Sequence, residues 1–172
     1  MLMAQEMAFG AVIFASGIDQ LKEKFELGGL PDIPEICDCP LIPSNRGDLF
    51  REGLAAFDTK DYIKCIHVLV PQIENSLRVL IVMLGGSDTK FVGDGSYDLK
   101  NMNDVLCDTS VQEALEEKLL CFLKVLYCDK RGMNLRNLVA HGVMAAKAFS
   151  RVTASLVIQS VALLSVIGRM SE

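Results

Sequence analysis

Three polar side chains interrupt an apolar stretch near the end of the chain, GMNLRNLVAHG at residues 132–142. Arg136 carries a guanidinium fork, which suits phosphate oxygens. Asn137 can donate and accept hydrogen bonds, and His141, one of two histidines in the chain, can exchange a proton near neutral pH. This spacing indicates a candidate phosphate-binding or acid–base site. The alternative is a helix that merely buries its histidine.

The angular placement of these residues on a helix separates the two interpretations. We predict a helix that begins near Leu135, with Asn134 as its N-cap. At 100° per residue, one stripe holds the apolar residues Leu135, Leu138, Val139, Gly142, Val143 and Ala146. The opposite side holds Arg136, Asn137, Ala140, His141 and Met144. His141 is therefore predicted to lie off the core stripe, on the same face as Asn137.

The charges around this helix also favour an anion. Arg136 would lie in the first helical turn, where a positive charge opposes the helix dipole unless an acid or a bound anion compensates it. Residues 130–151 contain no acid but five basic residues: Lys130, Arg131, Arg136, Lys147 and Arg151. The alternative is an ordinary solvated helix face. The net charge of the whole chain is −5, which argues against binding nucleic acid over its whole surface but not at a local basic site.

The composition predicts which kind of fold positions this helix. The 172 residues fit one domain, 51% of them are hydrophobic, and tryptophan is absent. Such a mixture favours an aliphatic core between packed helices, and no segment predicts a strand. Six cysteines without a secretory signal predict reduced thiols in a cytoplasmic protein. The closest cysteine pair, Cys37 and Cys39, has no second pair at zinc-ligand spacing, so neither a metal nor a cofactor is expected.

Proline and glycine positions divide the chain into three parts. Residues 1–25 predict an amphipathic N-terminal helix, residues 26–47 a Pro/Gly-rich arm or linker, and residues 48–168 a helical domain. Within that domain we expect a turn at residues 58–60, where Asp58 or Thr59 caps a long helix that runs to Leu84 and is kinked at Pro71. The later segments are predicted as a loop at 87–97, a short helix or turn at 99–107, a helix at 111–128, and one or two helices over 135–149 and 152–168.

The last of these segments raises the question of a membrane. Residues 152–168 carry no charge, but Gln159 and several Ser and Thr residues interrupt the apolar run. A span needs about 20 predominantly apolar residues. We interpret the segment as a buried helix of the bundle, with peripheral membrane association as the alternative.

A family resemblance rests on two segments. Residues 136–141, RNLVAH, resemble the R-N-x-x-x-H signature of HEPN domains, an all-α superfamily that includes many RNA-cleaving proteins. Together, IHVLVPQIENSLRVL at 66–80 and CDKRGMNLRNLVAHG at 128–142 resemble a HEPN-related family of unknown function. That family includes the endoplasmic reticulum membrane-associated RNA degradation proteins. The resemblance covers roughly residues 48–168 and implies an antiparallel HEPN-like helical bundle.

The resemblance also implies a chemistry and a role for each residue. Two protomers of active HEPN nucleases bring their motif helices together and cleave RNA without a metal. By matching position, His141 would act as general base or acid, and Arg136 would hold the scissile phosphate, with Lys130 and Arg131 as further phosphate-binding residues. Asn137 would orient the imidazole or the phosphate. Glu74 is the candidate partner of Arg136.

Two functions follow as expectations. The first is RNA or nucleotide-phosphate binding by a homodimer, with metal-independent endoribonuclease activity as its sharpest form. The second is a non-catalytic helical interaction or dimerisation module in the cytoplasm or at the endoplasmic reticulum membrane. Two further candidates have plain structural interpretations: His67 is a packed or partly exposed histidine, and Gly93-Asp94-Gly95 is a turn and not a metal loop.

Overall fold

The computed structural model describes residues 38–170, and side chains as far as Arg169. They belong to the second of two units of the chain, residues 33–172. The N-terminal helix predicted for residues 1–25 and most of the arm lie outside the described residues. In the described part, the helices are α1 Gly47–Asp58, α2 Tyr62–Met83, α3 Met102–Leu106, α4 Thr109–Ala114, α5 Glu117–Tyr127, α6 Leu135–Ala140 and α7 Arg151–Met170; short 3-10 turns occupy Ser44–Arg46 and Ala146–Ala148; and the strands are β1 Thr89–Val92 and β2 Ser96–Leu99.

The mainly helical class predicted from composition is confirmed, and its centre is a helical hairpin. Helix α2 packs against α1 on one side and α7 on another, and it also contacts α3 and α6. Gly53 permits the close approach of α1 because a Cβ there would come within 2.5 Å of Leu69 on α2. Helix α2 contributes Ile66, Leu69, Ile73 and Leu77 to the core, each fully buried. This central helix is therefore a rigid base for any side chain that it presents to α6.

The turn between α1 and α2 lies where it was predicted, but the predicted cap is wrong. Asp61 caps α2 by accepting a hydrogen bond from the Lys64 amide at 3.0 Å. Thr59 is unavailable for that role because its hydroxyl donates back to the Ala55 and Ala56 carbonyls at the end of α1. The chain then reverses at Lys60, whose φ of 64° is left-handed.

The prediction of no strand is also wrong. Residues 89–92 and 96–99 form an antiparallel hairpin with Phe91 opposite Tyr97, where a loop was predicted at 87–97 and a short helix or turn from residue 99. The turn uses Gly93, Asp94 and Gly95, with Gly95 at φ 91° and its amide bonded to the Val92 carbonyl at 3.0 Å. Three-residue hairpin loops favour glycine at this left-handed position. The predicted turn at Gly93–Gly95 is thus confirmed.

Two helices, predicted for residues 111–128 and 135–149, are shorter in the structure. The predicted helix at 111–128 is broken at Leu115, whose extended backbone (φ −96°, ψ 137°) lets its side chain enter the core at 5% exposure. The predicted helix at 135–149 ends at Ala140. There the Gly142 amide bonds to the Val139 carbonyl and the Val143 amide to the Leu138 carbonyl, with Gly142 at φ 65°. These two bonds form a Schellman motif, which stops a helix at a left-handed glycine.

The end of the predicted arm is part of the packed fold and not a free linker. Leu41 and Ile42 are buried, and the Cys39 thiol lies 3.7 and 3.6 Å from the Leu164 and Ser165 carbonyl oxygens of α7. Gly168 makes room for this contact, since a Cβ there would come within 2.4 Å of the Cys39 sulfur.

Helices α2 and α7 are both long and apolar enough to cross a membrane by length and composition. Each also buries a large part of that apolar surface inside the fold: 61% of the most apolar window of α2 and 50% of that of α7. Buried helices of a folded core pass the same test of length and composition, so the predicted cytoplasmic or membrane-surface location stays a prediction.

Candidate phosphate-binding site

A tight turn after α5 places α6. The Arg131 amide bonds to the Asp129 carboxylate at 2.8 Å, the Gly132 amide bonds to the Asp129 carbonyl at 2.9 Å, and the Met133 amide returns to the Val125 carbonyl at 3.0 Å. Gly132 is essential to this path because a Cβ there would lie 2.2 Å from the Val125 carbonyl oxygen. The start of α6 is therefore fixed against the last turns of α5.

The predicted start of the helix is confirmed. Asn134 occupies the N-cap position with left-handed dihedral angles (φ 49°, ψ 34°), and α6 begins at Leu135. The Asn134 side chain does not cap a backbone amide. Its Oδ1 instead accepts a hydrogen bond from the side-chain nitrogen Nδ2 of Asn137 at 2.7 Å. Leu135 and Val139 are buried, which orients the helix and sends Arg136 toward α2.

Arg136 binds the buried carboxylate of Glu74 on α2, which confirms the predicted pairing. Its Nε lies 2.6 Å from Glu74 Oε2 and its Nη2 lies 3.4 Å from Oε1. The Glu74 side chain is 8% exposed and that of Arg136 is 26% exposed. The remaining nitrogen, Nη1, donates to Asn137 Oδ1 at 3.3 Å. The guanidinium group is thus held from two sides while part of it stays open to solvent.

A second arginine, which the sequence analysis missed, shares the same carboxylate. Arg78 forms an ion pair with Glu74 Oε1 and donates from Nε to the Lys100 carbonyl at 2.7 Å. One buried carboxylate between two arginines leaves the cluster with one positive charge. Arg78 lies four residues after Glu74 on α2, and this spacing of opposite charges could have revealed the contact.

These contacts shift pKa values near α6. The hydrogen bond and the charge of Glu74 raise the pKa of Arg136, against the effect of partial burial. Burial raises the pKa of the nearby Cys128 thiol to about 11, although the charge of Arg136 acts in the opposite direction. Arg136 is therefore a permanent cation, and Cys128 is protonated near neutral pH and a poor nucleophile.

His141 lies at the other end of α6 from Arg136. It is the C-cap of the helix, is exposed, and makes no side-chain hydrogen bond to any described residue. Its predicted position off the core stripe is confirmed. Five residues separate it from Arg136, which corresponds to about 7.5 Å along the axis and about 140° around it. The side-chain amide of Asn137 donates a hydrogen bond to Asn134 and accepts one from Arg136. It therefore does not orient the imidazole as expected.

The two other predicted phosphate-binding residues lie in the turn before α6. Lys130 is exposed and forms no ion pair with any residue of 38–169. Arg131 is also exposed, but its Nε and Nη2 donate to the Asp129 carboxylate at 3.1 and 2.8 Å. These bonds lower the pKa of Asp129 to about 2. The basic segment begins directly after this acid, so its local charge is smaller than residues 130–151 alone indicate.

The remaining histidine has a structural environment. The His67 ring stacks on Phe149 with 5.0 Å between ring centroids, and its Nδ1 lies 2.9 Å from the Ile63 carbonyl oxygen. It belongs to α2 and does not join the predicted site. Among the described residues, no group of three or more His, Cys, Asp or Glu side chains is placed to hold a metal ion.

Comparisons with family models, with curated proteins and with solved structures find no match for this chain. The class that the structure defines is a mainly helical fold in which one short helix carries Arg136 at its start and His141 at its end. The resemblance to HEPN domains remains a prediction from residues 66–80 and 128–142.

Proposed function

We propose that α6 binds the phosphate groups of RNA or of a nucleotide, and that in its sharpest form the protein is an endoribonuclease that needs no metal. The single observation that carries this proposal is the fixed arginine. A buried carboxylate at 2.6 Å holds the Arg136 guanidinium, while the exposed His141 imidazole lies on the same short helix. Fixed cations of this kind stabilise charge on phosphate oxygens without reorganising.

The charge balance supports the same proposal. Glu74 is surrounded by Arg78 and Arg136, so an arriving phosphate meets a net positive cluster and not a neutral pair. Lys130 and Arg131 lie on the turn that leads into α6; Lys130 extends the positive surface, while Arg131 is paired with Asp129. Arginine is well suited to such a contact because its planar donors can bind two oxygens at once.

The separation of Arg136 from His141 leads us to propose that the complete site requires two chains. In one chain the arginine is directed toward α2 and the histidine toward solvent, so a phosphate bound at one α6 is more easily reached by His141 of a second copy. Ala140 and Val143 beside His141 are exposed, Val143 to 65%, and give this end of the helix a small apolar surface for pairing. The homodimer is therefore part of the proposal.

The proposed reaction follows from these groups. One His141 imidazole accepts the proton of a ribose 2′-hydroxyl, and the 2′-oxygen forms a bond to phosphorus. The bond from phosphorus to the 5′-oxygen breaks, and the second His141 of the pair gives that oxygen a proton. The products are a 2′,3′-cyclic phosphate and a 5′-hydroxyl. Arg136 stabilises the negative charge on the phosphate oxygens during this step.

The test is RNA cleavage by the purified chain in the presence of EDTA. Labelled single-stranded RNA should yield 2′,3′-cyclic phosphate ends, and His141→Ala should abolish them. Because His141 is exposed and has no side-chain hydrogen bond in the described chain, this change should leave the fold intact. His67→Gln is the matched control because it alters the other histidine, and it should cleave normally. Cleavage by His141→Ala equal to that of the wild type would refute the proposed endoribonuclease activity.

A second function is favoured by two of the same observations. Glu74 already accepts hydrogen bonds from two of the three guanidinium nitrogens of Arg136, and His141 lacks an orienting hydrogen-bond partner among residues 38–169. A non-catalytic module that uses α6 to dimerise, in the cytoplasm or at the endoplasmic reticulum membrane, would need neither free donors nor an oriented base. Light scattering separates the cases: a stable dimer without any cleavage or phosphate binding supports this second function.

A further inference from the structure

The outer edge of strand β2 in the β-hairpin has backbone groups that do not pair with β1. The Lys100 amide donates to the Asp88 carbonyl at 2.7 Å, which makes residues 88 and 100 a hydrogen-bonded pair. Hydrogen-bonded and non-hydrogen-bonded pairs alternate along an antiparallel ladder. With Phe91 opposite Tyr97 and Thr89 opposite Leu99, the alternation turns the backbone groups of Tyr97 and Leu99 away from β1. The outer side of β2 therefore presents two amide donors and two carbonyl acceptors.

This edge of β2 is open, and the edge of β1 is partly closed. All four residues of β2 are exposed, and no other segment of the described chain hydrogen-bonds to the backbone of Tyr97 or Leu99. On β1, by contrast, the Ser87 hydroxyl lies 3.2 Å from both the amide nitrogen and the carbonyl oxygen of Thr89. An exposed edge of this kind is a template for an added strand. The strand would add beside β2.

One face of the hairpin is apolar and continues into a groove. Phe91, Tyr97 and Leu99 share this face and are 62%, 69% and 60% exposed, and the two aromatic rings meet edge to face at 5.6 Å. Leu99 also lines a groove of about 220 Å³ against Val82 and Met83 of α2. Large exposed apolar side chains that lie together on one face mark a surface for a partner. An added strand would cover them with every second side chain.

The opposite face of the hairpin carries Asp98, which lies opposite Lys90. Asp98 is exposed and has no side-chain hydrogen bond or ion pair to any described residue. Lys90 lies directly across the ladder, but its ammonium group is 2.6 Å from the Asp104 carboxylate. Lys100 is likewise paired with Asp108 at 3.0 Å. Both lysines are thus paired with other acids, and Asp98 has no ion-pair partner among the described residues.

We propose that β2 binds an extended peptide of another protein, in which aliphatic and basic residues alternate, as a third strand of this sheet. Side chains alternate between the two faces of a strand, so the aliphatic residues would cover Tyr97 and Leu99 while Lys or Arg faces Asp98. A second copy of this chain does not fit. Pairing β2 with its own copy would bring two Asp98 carboxylates onto one face, and like charges across a sheet are destabilising.

Synthetic peptides test this proposal by fluorescence anisotropy at low salt. The probe is a labelled seven-residue peptide of alternating valine and lysine. One control has the same composition in block order, and a second carries N-methyl groups on the amides that would pair with β2. We expect the alternating peptide to bind about tenfold or more tightly than either control, because strand addition needs both the alternation and the backbone donors. Equal affinity for the three peptides would overturn the proposal.

Reversing the charge of Asp98 tests whether the basic residues of the peptide lie on the Asp98 face of the hairpin. Asp98→Lys should weaken binding of the valine–lysine peptide by about two- to tenfold, since it turns a surface ion pair into a repulsion, and should favour a valine–glutamate peptide. Asp58→Lys, which makes the same charge change at an exposed position of α1, should not alter either affinity. Bound peptide should shift the amide NMR signals of Tyr97 and Leu99. Equal effects of the two variants, or shifts confined to other elements, would contradict strand addition at β2.

Discussion

The charge balance around Glu74 leads to the sharpest prediction about stability. In Glu74→Gln the side chain keeps its shape but loses its charge, which leaves Arg78 and Arg136 close together without their common anion. Removing one partner of a buried ion pair costs about 3–5 kcal/mol. The side chains of Arg78 and Arg136 are 18% and 26% exposed, so water solvates part of the released charge. We therefore expect a loss of about 2–3 kcal/mol of unfolding free energy.

Urea unfolding followed by circular dichroism at the helical band measures this loss directly. For a chain of this size, the corresponding fall in melting temperature is about 4–12 °C. Glu113→Gln is the matched control because Glu113 is exposed on α4, and its change should stay within about 0.5 kcal/mol. Arg136→Gln should cost less than Glu74→Gln, because Arg78 still neutralises the carboxylate. A Glu74→Gln protein as stable as the wild type would refute this account of the cluster.

Two further predictions concern the turn before α6. Gly132→Ala should destabilise the protein by about 1–3 kcal/mol because the added Cβ meets a backbone carbonyl at 2.2 Å, whereas Gly93→Ala, with open space around it, should change stability little; equal unfolding midpoints in urea would contradict this packing. The lowered pKa of Asp129 predicts a stabilising contribution that is present above the ordinary aspartate pKa and is lost as the pH falls from about 4 toward 2. An NMR titration should place the Asp129 midpoint at about 2 and show it rising in Arg131→Gln; a midpoint that does not move would exclude the ion pair as its cause.

The sequence predicted those features of α6 that depend on local patterns. Apolar spacing placed Leu135 and Val139 in the core, and the same spacing put His141 outside it, as the structure has them. The pairing of Arg136 with Glu74 was expected from the family resemblance and is present at 2.6 Å. What this resemblance implies for catalysis and partners has not been tested by the fold.

The predictions failed in segments where a local turn or a short strand, and not the spacing of apolar residues, determines the structure. The apolar stripe continues through Val143 in the sequence, yet the left-handed Gly142 stops the helix, and Val143 is 65% exposed. The hairpin was missed because its strands are only four residues long and mostly exposed, so they show no buried alternation. Its glycine-containing turn, with Phe91 and Tyr97 on either side, was the available signal. The pairing of Arg78 with Glu74 was signalled by their spacing of four residues on α2, whereas the contact of Arg78 with the Lys100 carbonyl depends on the fold.

The two histidines allow the proposed phosphate site to be tested in one spectrum. We would record the imidazole NMR signals while adding a ribodinucleotide whose 2′-oxygen is methylated, so that it binds but is not cleaved. The account predicts that the His141 signals shift on addition, that the His67 signals stay in place, and that Arg136→Gln removes the shift. Unchanged His141 signals, or equal shifts of both histidines, would contradict a phosphate-binding site at α6.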